Sequence, residues 1–218
     1  MQLTLIQTIS MWILPILFAV TVHEAAHGYM AYLLGDKTAS VLGRLTLNPI
    51  KHIDILGTIV LPIALLVLNT GVILGWAKPV PVNFHNFNKP RRDMALVALA
   101  GPFSNFAMAI IWAAIAKMGA VLLVLNIPGA LAICSMGDAG IMINLMLMVL
   151  NLLPIPPLDG SHIVAGLLPR VAAINYERIA PFGFIIILVL LYLGVISMIM
   201  LPVIQFFYGL ISIVFGLS

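Results

Sequence analysis

The sequence predicts an all-α membrane protein built as a single domain of 218 residues. Hydrophobic residues make up 63% of the chain and charged residues only 8%, whereas a soluble globular domain carries about 25% charged residues. The apolar residues form long stretches separated by polar connectors, and a membrane-crossing helix needs about 20 such residues. A water-soluble particle is excluded, because so few polar residues cannot cover its surface.

By length and hydropathy we predict about six transmembrane helices. The predicted spans are 11–34, 55–74, 101–125, 140–153, 182–199 and 201–217. The fourth is short for a full crossing, so its polar continuation is expected to lie inside the protein.

Two connectors differ from plain loops. Residues 40–48 (SVLGRLTLN) partly alternate between apolar and polar side chains, which is the period of a β-strand. Residues 75–83 (GWAKPVPVN) are expected to be extended, because proline disfavours helix at its own position and at the residue before it. Two ordinary interfacial loops are the alternative interpretation.

The basic residues bear on orientation and exclude one class of partner. No basic run interleaved with aromatic residues is present, so no nucleic-acid partner is expected. With six alternating spans, the second and fourth connectors share a side and carry six Lys or Arg residues, against three in the first connector. Because cytoplasmic loops are enriched in Lys and Arg, this bias predicts that both termini are cytoplasmic.

Residues 23–27 read HEAAH and carry the most specific chemical signal in the chain. On a helix, His23 and His27 lie on one face, where both imidazoles reach one Zn²⁺ and Glu24 lies beside the attacking water. Three ionisable side chains within an apolar span are costly, which marks a functional site. Three satisfied polar residues packed between helices are the alternative.

A catalytic zinc site takes three protein ligands, so a third must come from elsewhere. Asp159 is the first choice and His162, three residues later, is the second. Asp159 ends the sequence NLLPIPPLD, whose three prolines break the helix after an apolar span. Irregular backbone at membrane depth is tolerated only where it is buried in protein or lines a wet cavity, which suits a metal ligand. The alternative role of Asp159 is an Asx-turn before Gly160.

Three motifs together resemble the site-2 protease family of intramembrane zinc metalloproteases. They are HEAAH at 23–27, GPFSN at 101–105, and NLLP at 151–154 leading to LDG at 158–160. The chain is similar to the minimal bacterial-type members without a PDZ insert, which the GWAKPVPVN stretch also resembles. The resemblance implies a core of three transmembrane helices (about 10–165) holding one Zn²⁺, with C-terminal helices at about 180–217. It also implies a multi-pass protein of a bacterial or archaeal plasma membrane.

The resemblance further assigns roles to individual residues. Asp159 becomes the third zinc ligand, Asn151 helps to hold the substrate carbonyl or its oxyanion, and Asn105 is an auxiliary residue near the site. Ser161 and His162 stand where many relatives have a second glycine and an arginine, which keeps His162 open as an auxiliary group.

The expected activity is regulated intramembrane proteolysis of a transmembrane protein substrate in the lipid bilayer. Glu24 would take the proton of the attacking water and return it to the leaving amine. A substrate helix must unwind locally before cleavage, and an exposed strand edge pairs with an extended peptide by β-augmentation. Candidate substrate-binding residues, taken from the two unusual connectors, are Arg44, Leu45, Thr46, Leu47, Pro79 and Val80.

A membrane metal-ion transporter and a catalytically inactive membrane scaffold are the alternative functions. A transporter is expected to carry polar residues in more than one span, or repeated halves, and the last two predicted spans have almost none. A scaffold does not need Glu24 beside a complete set of ligands.

Overall fold

The computed structural model describes residues 5–60 and 75–217, and the regular structure in these ranges is helical. The predicted all-α class is therefore confirmed for these residues. The α-helices are α1 (Leu5–Leu33), α2 (Thr38–Val41), α3 (Pro90–Val124), α4 (Ala130–Asn151), α5 (Asp159–Leu167), α6 (Arg170–Glu177), α7 (Ala180–Tyr192) and α8 (Val195–Phe215). Short 3-10 helices form at Pro49–His52 and Phe84–Asn86, and a π-helix forms at Ile55–Val60.

Helices α1, α3, α4 and α8 are each long and apolar enough to cross a membrane. Helices α6 and α7 make a fifth candidate if they count as one span bent by 63°. The chain is thus a multi-pass membrane protein with four or five candidate spans in the described ranges, and the predicted number of six is not confirmed. The last two helices separate at Gly194 (φ 75°), earlier than predicted, because glycine adopts the left-handed conformation without steric cost.

The predicted second span, 55–74, lies largely outside the described residues, but the backbone on its two sides meets. Trp76 N donates to Gly57 O at 3.2 Å, and Lys78 N donates to His52 O at 2.9 Å. The first and second connectors therefore contact each other in the described structure. The sequence-based orientation, which counted these connectors on opposite sides of the membrane, stays a prediction.

The basic residues of the first and second connectors lie together on one face, which we call the charged face. Arg91 Nη2 donates to Ala165 O at 2.8 Å and thereby holds the end of α5 at the same face. Lys117, further along α3, donates through its Nζ to Gly216 O at 3.0 Å near the end of α8. The residues of the charged face are Lys37, Arg44, Lys51, Lys78, Lys89, Arg91 and Arg92.

The two unusual connectors contain no β-strand in the part of the chain that the structure describes. Residues 40–48 begin in helix α2, turn at Gly43 (φ 63°) and continue as bends through Leu45–Leu47, where the alternation predicted a strand. Residues 75–83 form no regular secondary structure.

A fully buried carboxylate, Asp36, ties these connectors to the end of α1. It accepts hydrogen bonds from Asn83 N at 2.6 Å, from Asn86 Nδ2 at 2.7 Å and from Thr38 N at 3.0 Å. Burial opposes ionisation of this group, but the hydrogen bonds from Thr38, Asn83 and Asn86 outweigh it and lower the pKa of Asp36. The ionised carboxylate thereby fixes residues 83–86 beside α1.

Helices α3 and α4 pack closely because glycines face their contact. A Cβ on Gly137 would clash with the Ala116 backbone, and one on Gly140 would clash with the Trp112 ring. Small residues let transmembrane backbones approach each other, which compensates for the weak hydrophobic driving force in lipid. This close contact brings the polar side chains in the middle of α3 and α4 together.

Candidate metal centre

His23 and His27 lie one turn apart on α1 and present their imidazoles to a common point. Their Nε2 atoms are 3.0 Å apart, and the rings meet edge to face with centroids at 4.6 Å. His23 is only 8% exposed. The i, i+4 spacing therefore does what the motif predicts and places two nitrogen donors at one place within a membrane-crossing helix.

The opposite ring nitrogens identify the tautomer of each histidine. His23 Nδ1 lies 2.6 Å from Asn105 Oδ1, and His27 Nδ1 lies 2.7 Å from Val97 O. Both partners are oxygen acceptors, so each Nδ1 carries the proton and donates it. In the neutral rings both Nε2 lone pairs then face each other, an arrangement that a cation stabilises.

Asp159 completes the group from a distant part of the sequence. Its Oδ2 lies 3.2 Å from His23 Nε2 and 3.3 Å from His27 Nε2. Asp159 is the first residue of α5, and Gly160 allows α5 to begin directly against the end of α4, since a Cβ there would clash with Leu152 O. The segment between α4 and α5 thus positions the Asp159 carboxylate beside the two imidazoles.

The three side chains fit a zinc ion by chemistry and by spacing. Two histidines and one carboxylate are a catalytic zinc donor set, and tetrahedral coordination separates ligand atoms by about 3.3–3.6 Å. The measured separations of 3.0, 3.2 and 3.3 Å are close to this value. Among the described residues, Asp159 Oδ2 is buried without a hydrogen-bond partner, which a metal ion would relieve. No other group of His, Cys, Asp or Glu in the described ranges has this spacing.

Gly101 of α3 leaves the space that the two imidazoles occupy. A Cβ at this position would lie 2.5 Å from His27 Cε1 and 2.6 Å from His23 Cε1.

We therefore expect Gly101→Ala to displace the rings and to weaken zinc binding by at least about tenfold, because metal ligands act only in fixed geometry. Gly209→Ala in α8 is the matched control, since a Cβ there meets nothing within 4 Å. The zinc affinity of both purified variants is measured by titration in competition with a chelator. Equal affinities of the two variants would contradict this role of Gly101.

Glu24 is next to the ligands in sequence but is not one of them. Its Oε2 accepts a hydrogen bond of 2.8 Å from Val80 N. Because Val80 belongs to the connector 75–83, this bond holds that connector against the Glu24 carboxylate. The carboxylate is thus available near the metal centre without being a ligand.

The remaining predicted residues lie at different distances from this centre. Asn105 contacts His23 directly. Asn151 is the last residue of α4, and its Nδ2 donates to Leu147 O at 3.0 Å; in the described contacts no hydrogen bond joins it to the three ligands. His162 lies on α5 outside the group of three ligand atoms, so the described structure favours Asp159 over it.

The predicted substrate-binding residues come together beside α1. Arg44 Nη2 donates to Lys78 O at 3.0 Å and to Pro79 O at 3.3 Å, which joins the two connectors. Side chains of Leu45 and Val80 both approach Gly28, one residue after the second ligand.

Sequence reasoning missed Asn144, Val97 and the packing role of Gly101. Asn144 is an amide within an apolar span and could have been noticed as a polar residue in lipid. Val97 acts through its backbone carbonyl. Every residue has such a carbonyl, so the residue type gives no indication of this role.

Comparisons with known proteins relate this chain to a protein family. The model for "Peptidase family M50" matches residues 130–194, which include Asp159. "Putative zinc metalloprotease YwhC" of Bacillus subtilis is 41% identical, over 82% of this chain and 78% of its own. "Putative zinc metalloprotease Rip2" of Mycolicibacterium smegmatis is 29% identical, over 80% of this chain and 64% of its own. The Mycobacterium tuberculosis protein of the same name is 30% identical, over 93% and 71%.

No solved structure matches the chain significantly. The 41% identity to YwhC over most of both chains, together with the family match around Asp159, shows the relationship. The resemblance to site-2 proteases is thereby confirmed, and the chain belongs to peptidase family M50.

Proposed function

We propose that this chain is a zinc metalloprotease that hydrolyses peptide bonds within or beside the transmembrane segments of other membrane proteins. The observation that carries the proposal is the convergence of His23, His27 and Asp159 inside a membrane protein of the M50 family. The names of the relatives, which describe zinc metalloproteases, agree with it. A transporter or a scaffold is not favoured, because neither explains Glu24 beside the complete donor set.

Each residue of the site has its own role in the reaction. His23, His27 and Asp159 would hold one Zn²⁺, which when bound supplies a Lewis acid that polarises the scissile carbonyl and activates water. Glu24 accepts the proton of the attacking water and then gives it to the leaving amine. Asn151 donates a hydrogen bond to the developing oxyanion through its side-chain amide.

A metal-depletion experiment tests this function. The purified protein in detergent micelles is expected to carry about one zinc per chain and to cut a single-span model substrate. Removal of the metal with a chelator should stop cleavage, and added Zn²⁺ should restore it. A protein that binds no zinc, or one that cuts equally well after complete depletion, would overturn the proposal.

We infer that substrate binds in an apolar groove of about 420 Å³ along α1. Residues of α1 form one wall, and the connector 40–48 forms the other. The lining residues are Val22, Ala25, Ala26, Tyr29, Leu45, Thr46 and Leu47. An unwound apolar segment fits this groove, and its backbone would pair with the edge of 40–48 or 75–83 by β-augmentation. The β character expected of these connectors would then form in the complex with substrate.

Filling the groove should impair cleavage without removing the metal. Leu47 is 65% exposed and lines the groove, so Leu47→Trp is expected to lower kcat/KM for the model substrate by about tenfold or more. Ile50→Trp is the matched control in the 3-10 helix that follows this connector, 73% exposed and outside the groove lining. Equal cleavage by both variants would contradict the proposed substrate site, and unchanged zinc content in both would show that the fold is intact.

We propose that the charged face is cytoplasmic, in the plasma membrane of a bacterium such as those that contain the relatives. Helices α1 and α4 then run toward the cytoplasm, whereas α3 and α8 run away from it. The contact between Lys117 and Gly216 supports parallel α3 and α8. On this path Leu217 is outside the cytoplasm, opposite to the sequence-based orientation.

A fusion experiment tests this path. An alkaline phosphatase domain fused after Ser218 should be active, because the enzyme is active only outside the cytoplasm. If this C-terminal fusion were inactive while a fusion at the N-terminus was active, the path would be contradicted.

We further propose that the whole chain forms one peptidase unit. In it, α1 to α5 supply the catalytic core of about residues 10–165, and the helices after about residue 180 cover it. Their packing supports this, since Ile187, Ile196 and Met200 join the same apolar cluster as Ile141 and Leu145.

A further inference from the structure

Two asparagine side chains are completely buried in the middle of the membrane-crossing helices. Asn105 of α3 and Asn144 of α4 both have 0% exposure. A buried amide without hydrogen-bond partners costs free energy, and lipid offers no replacement for them. The hydrogen-bond partners of these two amides therefore indicate the role of the amides.

The hydrogen bonds run in one line from α4 to the metal centre. Asn144 Nδ2 donates to Gly140 O at 2.8 Å. Asn105 Nδ2 donates to Asn144 Oδ1 at 3.0 Å and to Ala19 O at 3.1 Å. Asn105 Oδ1 accepts from His23 Nδ1 at 2.6 Å.

Each bond in this line fixes the orientation of the next group. The bond to Gly140 O turns Asn144 so that its oxygen faces Asn105. Both hydrogens of the Asn105 amide are then used, by Asn144 Oδ1 and Ala19 O, so its oxygen must face His23. His23 must in turn carry its proton on Nδ1, which leaves the Nε2 lone pair directed at His27 and Asp159.

The other histidine ligand does not depend on a side chain in this way. His27 Nδ1 lies against Val97 O, a backbone carbonyl that has no alternative orientation. Only His23 relies on an amide that could rotate by half a turn and present its NH₂ group instead. A side chain that prevents this rotation therefore acts on one ligand and leaves the other unchanged.

We propose that Asn144 is a positioning residue for the metal centre, which holds the Asn105 amide in the orientation that fixes the tautomer and direction of His23. This inference rests on the proposed zinc function. Asn144 does not contact the metal ligands itself; it acts through Asn105.

Zinc affinity and tautomer state test the proposal with two variants. Asn144→Ala removes the acceptor without adding bulk, and Asn144→Leu replaces the amide by an apolar group of similar size. Both are expected to weaken zinc binding by about 10–100-fold in competition with a chelator, the usual effect of losing an orienting partner. Asn144→Asp keeps an acceptor toward Asn105 and is expected to restore most of the affinity.

Met148→Ala is the matched control, because Met148 is buried one turn further along α4 and has no bond to this line. It should leave zinc affinity within about threefold of wild type; a loss equal to that of Asn144→Ala would assign the effect to packing and overturn the proposal. Nitrogen-15 shifts of the histidine rings in metal-free protein give the second measurement. His23 should be a single Nδ1–H tautomer in wild type and a mixture in Asn144→Ala. A single tautomer in that variant would overturn the proposal even if its zinc affinity fell.

Failure of this inference is distinguishable from failure of the proposed function. If wild type binds no zinc, the metal centre itself is refuted. If wild type binds zinc and folded Asn144 variants bind it equally well, only the role of Asn144 is refuted.

Discussion

Replacement of Glu24 by glutamine should reduce peptide hydrolysis by about 10³-fold or more while the protein keeps its zinc. The amide cannot accept the proton of the attacking water, and general acid–base groups contribute about 10²–10⁴-fold to rate. The substitution should preserve structure, because the glutamine oxygen still accepts the hydrogen bond from Val80 N. Cleavage of a single-span substrate and zinc content, measured on the same preparation, check both statements.

Glu177→Gln is the control for this prediction, since it removes a carboxylate from the exposed side of α6. It should cut at the wild-type rate. Wild-type cleavage by the Glu24→Gln protein would show that another group is the base. Loss of zinc together with activity would show instead that Glu24 supports the metal centre.

Asp159→Ala should remove zinc binding and with it all activity. Two imidazoles alone do not complete a site of three protein ligands, and Asp159 Oδ2 is the atom within 3.3 Å of both. We expect zinc affinity to fall by more than about 100-fold, so that the purified variant carries much less than one zinc per chain. Elemental analysis of zinc in the purified variant measures this directly.

Two neighbouring substitutions make the result specific to the ligand. Ser161→Ala removes a hydrogen bond to Leu158 O in the same first turn of α5, and it should keep the metal. His162→Ala removes the other candidate ligand and should also keep it. If His162→Ala lost zinc and Asp159→Ala retained it, the ligand assignment would be reversed.

The three side chains of the candidate metal centre were predictable because their signals are local or chemically rare. His23 and His27 are four residues apart, and a helix brings that spacing onto one face whatever surrounds it. Asp159 was predictable because an acid after a proline-broken span has few roles at membrane depth. The all-α class followed from composition, since a lipid-exposed backbone must satisfy its hydrogen bonds within each segment or in a closed barrel.

The path of the chain between α1 and α3 was not predictable in this way. Hydropathy suggested a span at 55–74, but it gave no sign that Trp76 N, which follows this segment, donates to Gly57 O near its start. A hydropathy pattern reports the affinity of a segment for lipid and does not report which residues contact each other.

By itself, the sequence determined the membrane class and singled out the two histidines with Glu24 and the acid that joins them as the candidate site, since each depends on residue type and short spacing. Only the tertiary structure decided what orients these groups. The Val80 amide on Glu24, the Gly101 space beside the rings and the line from Asn144 to His23 join residues 39–86 positions apart. Such partners are chosen by helix packing, which brings specific atoms within about 3 Å of each other, and no local pattern encodes that distance.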